Sequence, residues 1–146
     1  YANPYGPNQY PIAGTGVVTA WLESARDGKP IVLYGSGENA RDFVYVTDAI
    51  SAALQALHAH KARGIYNVGS GVAVPLSKLL ATIEEVVDRR LAIEMHPPRS
   101  SDTVSKIALD STRALSDFGW KPRISLRNGV AFTWKWVLEG EAFSIY

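Results

Sequence analysis

An α/β fold is predicted by three features of this sequence. Short apolar runs alternate with amphipathic stretches of helical period, and glycines and prolines punctuate the junctions between them. The residues are 47% hydrophobic and 20% charged, enough to bury a core. At 146 residues the chain suits one domain or a large part of one.

The elements follow in order. Pro4, Pro7 and Pro11, interleaved with Asn3, Asn8 and Gln9, make residues 1–13 a loop. From Thr15 to Asp27 the apolar set Val17, Val18, Trp21, Leu22 and Ala25 has helical spacing, with Gly28 as its stop and Pro30 blocking continuation. "IVLY" (31–34) predicts a strand, "GSGENA" (35–40) a loop, and Phe43–Val46 a second strand. Thr47 and Asp48 read as the cap and first-turn acid of a helix that places Ile50, Ala53, Leu54 and Leu57 on one face. "IYNV" (65–68) predicts a third strand, ending in "GSG" (69–71).

The clearest helix comes next. Leu76, Leu79, Leu80, Ile83, Val86 and Val87 keep a strict helical period, and Pro75 suits its first turn. "LAIEM" (91–95) alternates like a strand, "PPRSSD" (97–102) is a polar loop, and "KIAL" (106–109) reads as a short extended piece. Asp110 is a natural cap for a helix to about Phe118, closed by "GWKP", and Ser125 caps a last helix from Leu126 to about Glu139.

Several function classes are excluded or disfavoured. The net charge is +1 and the basic residues are scattered, which argues against a nucleic-acid or membrane surface. There is no cysteine, so disulfides and thiolate metal sites are ruled out. His58 and His60 lie two apart on a predicted helix and point to different faces, so no metal site is expected. No apolar run reaches the roughly 18 residues a membrane helix needs. No signal peptide is visible, so a cytoplasmic setting is expected. The first residue is Tyr1, inside the dense motif "YANPYGPNQ", which reads as a piece cut from a longer protein.

The polar residues with chemical potential fall in three loops. One carries Asn3, Asn8 and Gln9, the second runs from Gly35 to the Arg41–Asp42 pair, and the third carries Arg99 and Asp102. Two arginines in separate loops, each near an aspartate, suit a diphosphate joined to a hydroxylated sugar, because guanidinium forks grip phosphate oxygens and carboxylates accept from hydroxyls. Taken alone, an Arg–Asp pair at a strand mouth is more often a surface ion pair. "GSGENA" and "GSG" match no full dinucleotide or P-loop pattern, and the tryptophans read as packing residues. No nucleophile–base constellation stands out, so the residues themselves point to a phosphorylated polar ligand and to no reaction.

The order of motifs adds to this. "NPYGPNQ", "GTGVVTAWLESARDGKPIVLYGSG", "ARDFVYVTDAISAAL", "YNVGSG", "RSSD" and "DFGWKP" together resemble the C-terminal, substrate-binding half of the extended short-chain dehydrogenase/reductases. These include nucleotide-sugar 4-epimerases, 4,6-dehydratases and UDP-glucuronate decarboxylases. The resemblance runs from Asn3 to about Trp136, and Asn128 departs from an acid often found in the last helix. It implies a truncated α/β fold with short strands and about five helices, the N-terminal Rossmann part being absent. It also implies that Arg41 and Arg99 reach a ligand diphosphate, that Asp102 meets the ribose, and that Asn3 contacts the diphosphate-sugar. Val17 and Val18 would border the nucleotide, with Val32 and Tyr34 against its base.

The family's GxxGxxG loop and Tyr-x-x-x-Lys pair are not found in these residues. The resemblance therefore implies a chain that binds a nucleotide-sugar, expected to be a UDP-sugar, and is inactive alone. NAD and the redox chemistry at the sugar C4 would belong to a homodimeric parent epimerase, and the absent Rossmann half would be this chain's partner. The alternatives are a parent 4,6-dehydratase or decarboxylase, or a non-catalytic nucleotide-binding module of the same fold.

Overall fold

The computed structural model describes residues 1–10, 16–59, 62–98 and 104–139. Within them the chain runs β1 (Asn3–Tyr5), α1 (Val17–Arg26), β2 (Ile31–Tyr34), β3 (Ala40–Tyr45), α2 (Val46–His58), β4 (Ala73–Pro75), α3 (Leu76–Val87), β5 (Ile93–His96), α4 (Thr112–Phe118) and α5 (Leu126–Glu139). The α/β class, the short strands and the five helices agree with the sequence.

Two small sheets organise these elements. β3 lies between β1, which it pairs in parallel, and β4, which it pairs antiparallel. β2 and β5 form a separate parallel pair. Successive side chains on a strand point to opposite sides, so β3 becomes a wall between two cores. Phe43 and Tyr45 face a larger cluster with Tyr5, Trp21, Leu22, Ile31, Leu79, Ile83 and Val130. Val44 faces a smaller one with Ala49, Ala52, Val68, Ala114 and Trp120.

Helices α1, α3 and α5 pack on one another over the larger cluster. α5 approaches β3 closely because Gly129 carries no Cβ: one placed there would collide with the Tyr5 hydroxyl and the Tyr45 ring. The Tyr5 phenol donates to the Leu126 carbonyl at 3.2 Å, tying β1 to the first turn of α5. Burial, with smaller contributions from Tyr45 and Asp48, pushes that phenol well above its ordinary pKa, so it stays a donor.

Several sequence expectations need correction. β3 begins at Ala40 rather than Phe43, which puts Arg41 and Asp42 inside the strand, opposite Val74 and Ala73 of β4. The partners that lengthen it are far along the chain: Ala40 donates its N–H to Ser105 and accepts from Ile107. Residues 65–68 form no strand; their link to the sheet is the Ala2 N–H on the Val68 carbonyl, and a strand needs a ladder. β4, at 73–75, takes that place beside β3.

The cap assignments also shift. α2 starts at Val46, its N-cap is the extended Tyr45, and no side chain caps it, so Thr47 is not a cap. Asp48 sits in the first turn as expected, but buried, with its carboxylate accepting the N–H groups of Arg123 and Ile124. It thereby holds the approach to α5. Before α4 the flanking residue is Ser111, while Asp110 supplies the acceptor for the Thr112 N–H and hydroxyl. Those bonds hold the Asp110 carboxyl below its ordinary pKa. Ser125 caps α5 as expected, through the Asn128 N–H. Along α2, Ala49 and Ala52 turn inward, and Ile50, Leu54 and Leu57 are exposed.

Candidate functional site

A cleft of about 310 Å³ opens beside β3 on the side of the larger core. Arg41, Asn3, Gln9, Gly16, Val17 and Phe43 line it, with Val18 and Tyr5 behind. The strand period accounts for this: Arg41 stands one pleat from Phe43 and shares its side, at the end of β3 where it emerges from the core. Its neighbour Asp42 points the other way. Arg41 and Asp42 therefore form no ion pair with each other, and the surface-pair reading of this dipeptide falls.

Arg41 is half-buried, and its Nη1 donates to the Ala40 carbonyl at 3.0 Å. A guanidinium carries five N–H donors, so one such bond leaves most of the fork available to an acceptor in the cleft. Arg41 is the one cationic side chain among the described residues lining it. Asn3, across the β1–β3 ladder, donates its amide N–H to the Asp42 carbonyl at 2.8 Å, fixing its side chain beside Arg41. Gln9 is committed at both ends, donating to the Pro4 carbonyl and accepting from the Thr19 hydroxyl. It shapes the cleft floor rather than offering free groups.

One contributor was missed by sequence reasoning. The ten-residue helix α1 begins at the cleft, with Gly16 as its N-cap in the left-handed region at φ 70 and no side-chain cap bond. Helix N-termini offer unpaired N–H groups and partial positive charge, which favour an anion. The signal was present in "GTG" before the helical run, a glycine where a capping Ser, Thr or Asp would be usual.

The eight residues singled out from sequence are distributed unevenly. Asn3, Val17, Val18 and Arg41 meet in this cleft. Val18 is buried in the core and gives the cleft only backing, whereas Val17 is half-buried. Val32 and Tyr34 do not line it; they stand on β2 opposite Glu94 and His96, with the Tyr34 ring 5.4 Å from the His96 ring. Arg99 and Asp102 lie outside the described residues. Two other clefts, one between Gly69–Gly71 and 108–112 and one between Phe43 and 122–126, have more volume. Neither combines a half-buried guanidinium, a fixed amide and a helix N-terminus.

Comparison with known proteins gives a consistent picture. Residues 1–69 match the model of the NAD dependent epimerase/dehydratase family. A UDP-glucose 4-epimerase of Mycolicibacterium smegmatis is 36% identical over 132 residues, 90% of this chain and 42% of that protein. A dTDP-4-dehydro-6-deoxyglucose reductase of Escherichia coli is 33% identical over 88% of this chain and 40% of its own length. Among solved structures, UDP-glucose 4-epimerase of Thermotoga maritima with UDP-glucose is 34% identical with a TM-score of 0.87, over 95% of this chain and 44% of that one. The chain thus spans about two-fifths of the length of these relatives, and the part it matches is their C-terminal part.

Proposed function

Because residues 1–69 match the NAD dependent epimerase/dehydratase family and most of the chain aligns with the C-terminal part of such proteins, we propose that its Arg41 cleft binds the diphosphate of a nucleotide-sugar, with UDP as the nucleotide. The observation that carries this reading is the convergence of Arg41, Asn3 and the N-terminus of α1 on one cleft. Arg41 would grip phosphate oxygens through its free N–H groups, α1 would add its partial positive charge, and Asn3 would set where the sugar-phosphate lies. Arg99 and Asp102, by the sequence resemblance alone, complete the site as a second phosphate contact and a ribose contact. Val32 and Tyr34 flank the base on the same basis.

In the full-length protein the nucleotide-sugar would undergo NAD-dependent epimerisation at the sugar C4. The epimerase reading is preferred over a dehydratase or decarboxylase because relatives named UDP-glucose 4-epimerase reach 36% identity, against 26–31% for those named dehydratase or decarboxylase. The described residues themselves do not fit NAD. A dinucleotide pyrophosphate sits where a glycine-rich turn opens a helix. Here Gly35–Gly37 leads into β3 and Gly69–Gly71 leads into β4, while the glycines at 14 and 16 before α1 are followed by Thr19 where the dinucleotide fingerprint has its third glycine or alanine. The role of this chain is therefore to hold the non-reacting nucleotide, whose binding energy positions the sugar for chemistry carried out elsewhere in the protein.

Calorimetric titration of the protein with UDP, UMP and uridine tests this. Affinity should fall in that order, with the largest step on removing the β-phosphate. Equal affinity for all three would show that the cleft reads no diphosphate.

A further inference from the structure

Asp42 is the least expected residue next to this site. It is fully buried, and among the described residues no cation pairs with it. Its two carboxylate oxygens accept four donors: the Ser70 N–H at 2.8 Å and hydroxyl at 2.5 Å on Oδ1, and the N–H groups of Gly71 at 3.1 Å and Leu109 at 3.0 Å on Oδ2. Its main-chain carbonyl accepts the Asn3 amide. One residue thus binds three segments: β1, the 69–71 turn and the stretch around Leu109. Gly69 is pressed against the carboxylate so closely that a Cβ there would overlap it.

The arrangement bears directly on Arg41. Ile107, two residues before Leu109, donates to the Ala40 carbonyl, the same oxygen that receives Arg41 Nη1. Asp42 therefore clamps the 105–109 segment against β3 just where that segment shares an acceptor with the Arg41 guanidinium. It also fixes Asn3 through its carbonyl. We infer that Asp42 is a positioning residue for the diphosphate cleft: it never touches the ligand but sets the geometry of Arg41 and Asn3 through these bonds. This inference rests on the diphosphate reading of the cleft.

A carboxylate is acceptor-only, whereas an amide presents two donors. Asp42→Asn keeps the shape but points an N–H at groups that are themselves donors, so the clamp loosens without leaving a cavity. The readout is the ratio of UDP to UMP affinity. A substitution that only destabilises the fold lowers the competent fraction equally for both ligands, and the ratio is unmoved. Asp42→Asn should reduce the ratio by about three- to tenfold, in line with weakening one charge-assisted hydrogen bond. The loss should vanish in an Arg41→Ala background, since both changes act on one contact.

Ser70→Ala removes the shortest of the four bonds to the carboxylate, together with the Val72 N–H bond that the same hydroxyl accepts at 3.2 Å; it is the milder second variant and should lower the ratio in the same direction. A preserved ratio in Asp42→Asn, or in Ser70→Ala should Asp42→Asn fail to fold, overturns the inference and leaves the diphosphate reading standing. Failure of the unsubstituted protein to prefer UDP over UMP overturns that reading, and this inference with it.

Discussion

Trp120→Ala is expected to lower the stability of the protein by about 3–5 kcal/mol, the usual cost of removing a fully buried tryptophan. Trp120 is 1% exposed and sits in the smaller core with Val44, Ala49, Ala52, Val68 and Ala114. Its indole N–H is shared between the Asp48 carbonyl and the Ser51 hydroxyl, both at 3.0 Å. Truncation would leave a cavity and remove one of the links between α2 and the segment after α4, the other being the Asp48 carboxylate on the Arg123 and Ile124 N–H groups. Against the roughly 5–15 kcal/mol total stability of a small domain, this is a large fraction. Trp120→Phe keeps part of the ring volume and loses the N–H, so its cost should be smaller. Chemical denaturation measures both. A midpoint unchanged in Trp120→Ala would mean that the smaller core does not support the fold.

The second large effect falls on binding. Arg41→Ala should weaken UDP affinity by about ten- to a hundredfold, because hydrogen bonds to charged groups contribute roughly 1.5–3 kcal/mol. Arg41→Lys should recover only part of this, since an ammonium cannot present the planar fork. The melting temperature should change little. The side chain is half-buried at a cleft, and its one described bond, to the neighbouring Ala40 carbonyl, is local. Unchanged affinity with a lowered melting temperature would return Arg41 to a structural role.

Much of the fold was legible in the sequence, and the reason is local. The period of Val17–Ala25 and of Leu76–Val87 is set by burial against one neighbouring surface, so it survives in the order of residues. Gly28, Gly119 and Ser125 mark helix ends through bonds that reach no more than a few positions. The features that were not legible depend on distant partners. β3 is longer than its apolar run because 73–75, Ser105 and Ile107 supply its ladder. The stretch 65–68 has strand-like residues and no ladder to join among the described residues. A strand is a property of pairs, and no single segment reveals whether its partner is present.

The site divides in the same way. Asn3 and Arg41 could be named from the resemblance, and the β1–β3 register sets Asn3 opposite Phe43, one pleat from Arg41 on the same side of β3. The opposed directions of Arg41 and Asp42 follow from strand alternation, which becomes applicable only once the pair is known to lie inside β3. The hub at Asp42 was invisible because its donors lie 28 to 67 positions away.

The central claim is that the cleft of Arg41, Asn3 and the α1 N-terminus receives the diphosphate of a nucleotide. Its most direct test is an NMR titration of isotopically labelled protein with UDP, following main-chain amides and the Asn3 and Arg41 side-chain N–H signals. The account predicts that Gly16, Val17, the Asn3 carboxamide and the Arg41 guanidinium shift together along one saturating curve. Shifts confined to Gly69–Gly71 and residues 108–112, with the Arg41 and α1 signals unmoved, would contradict it.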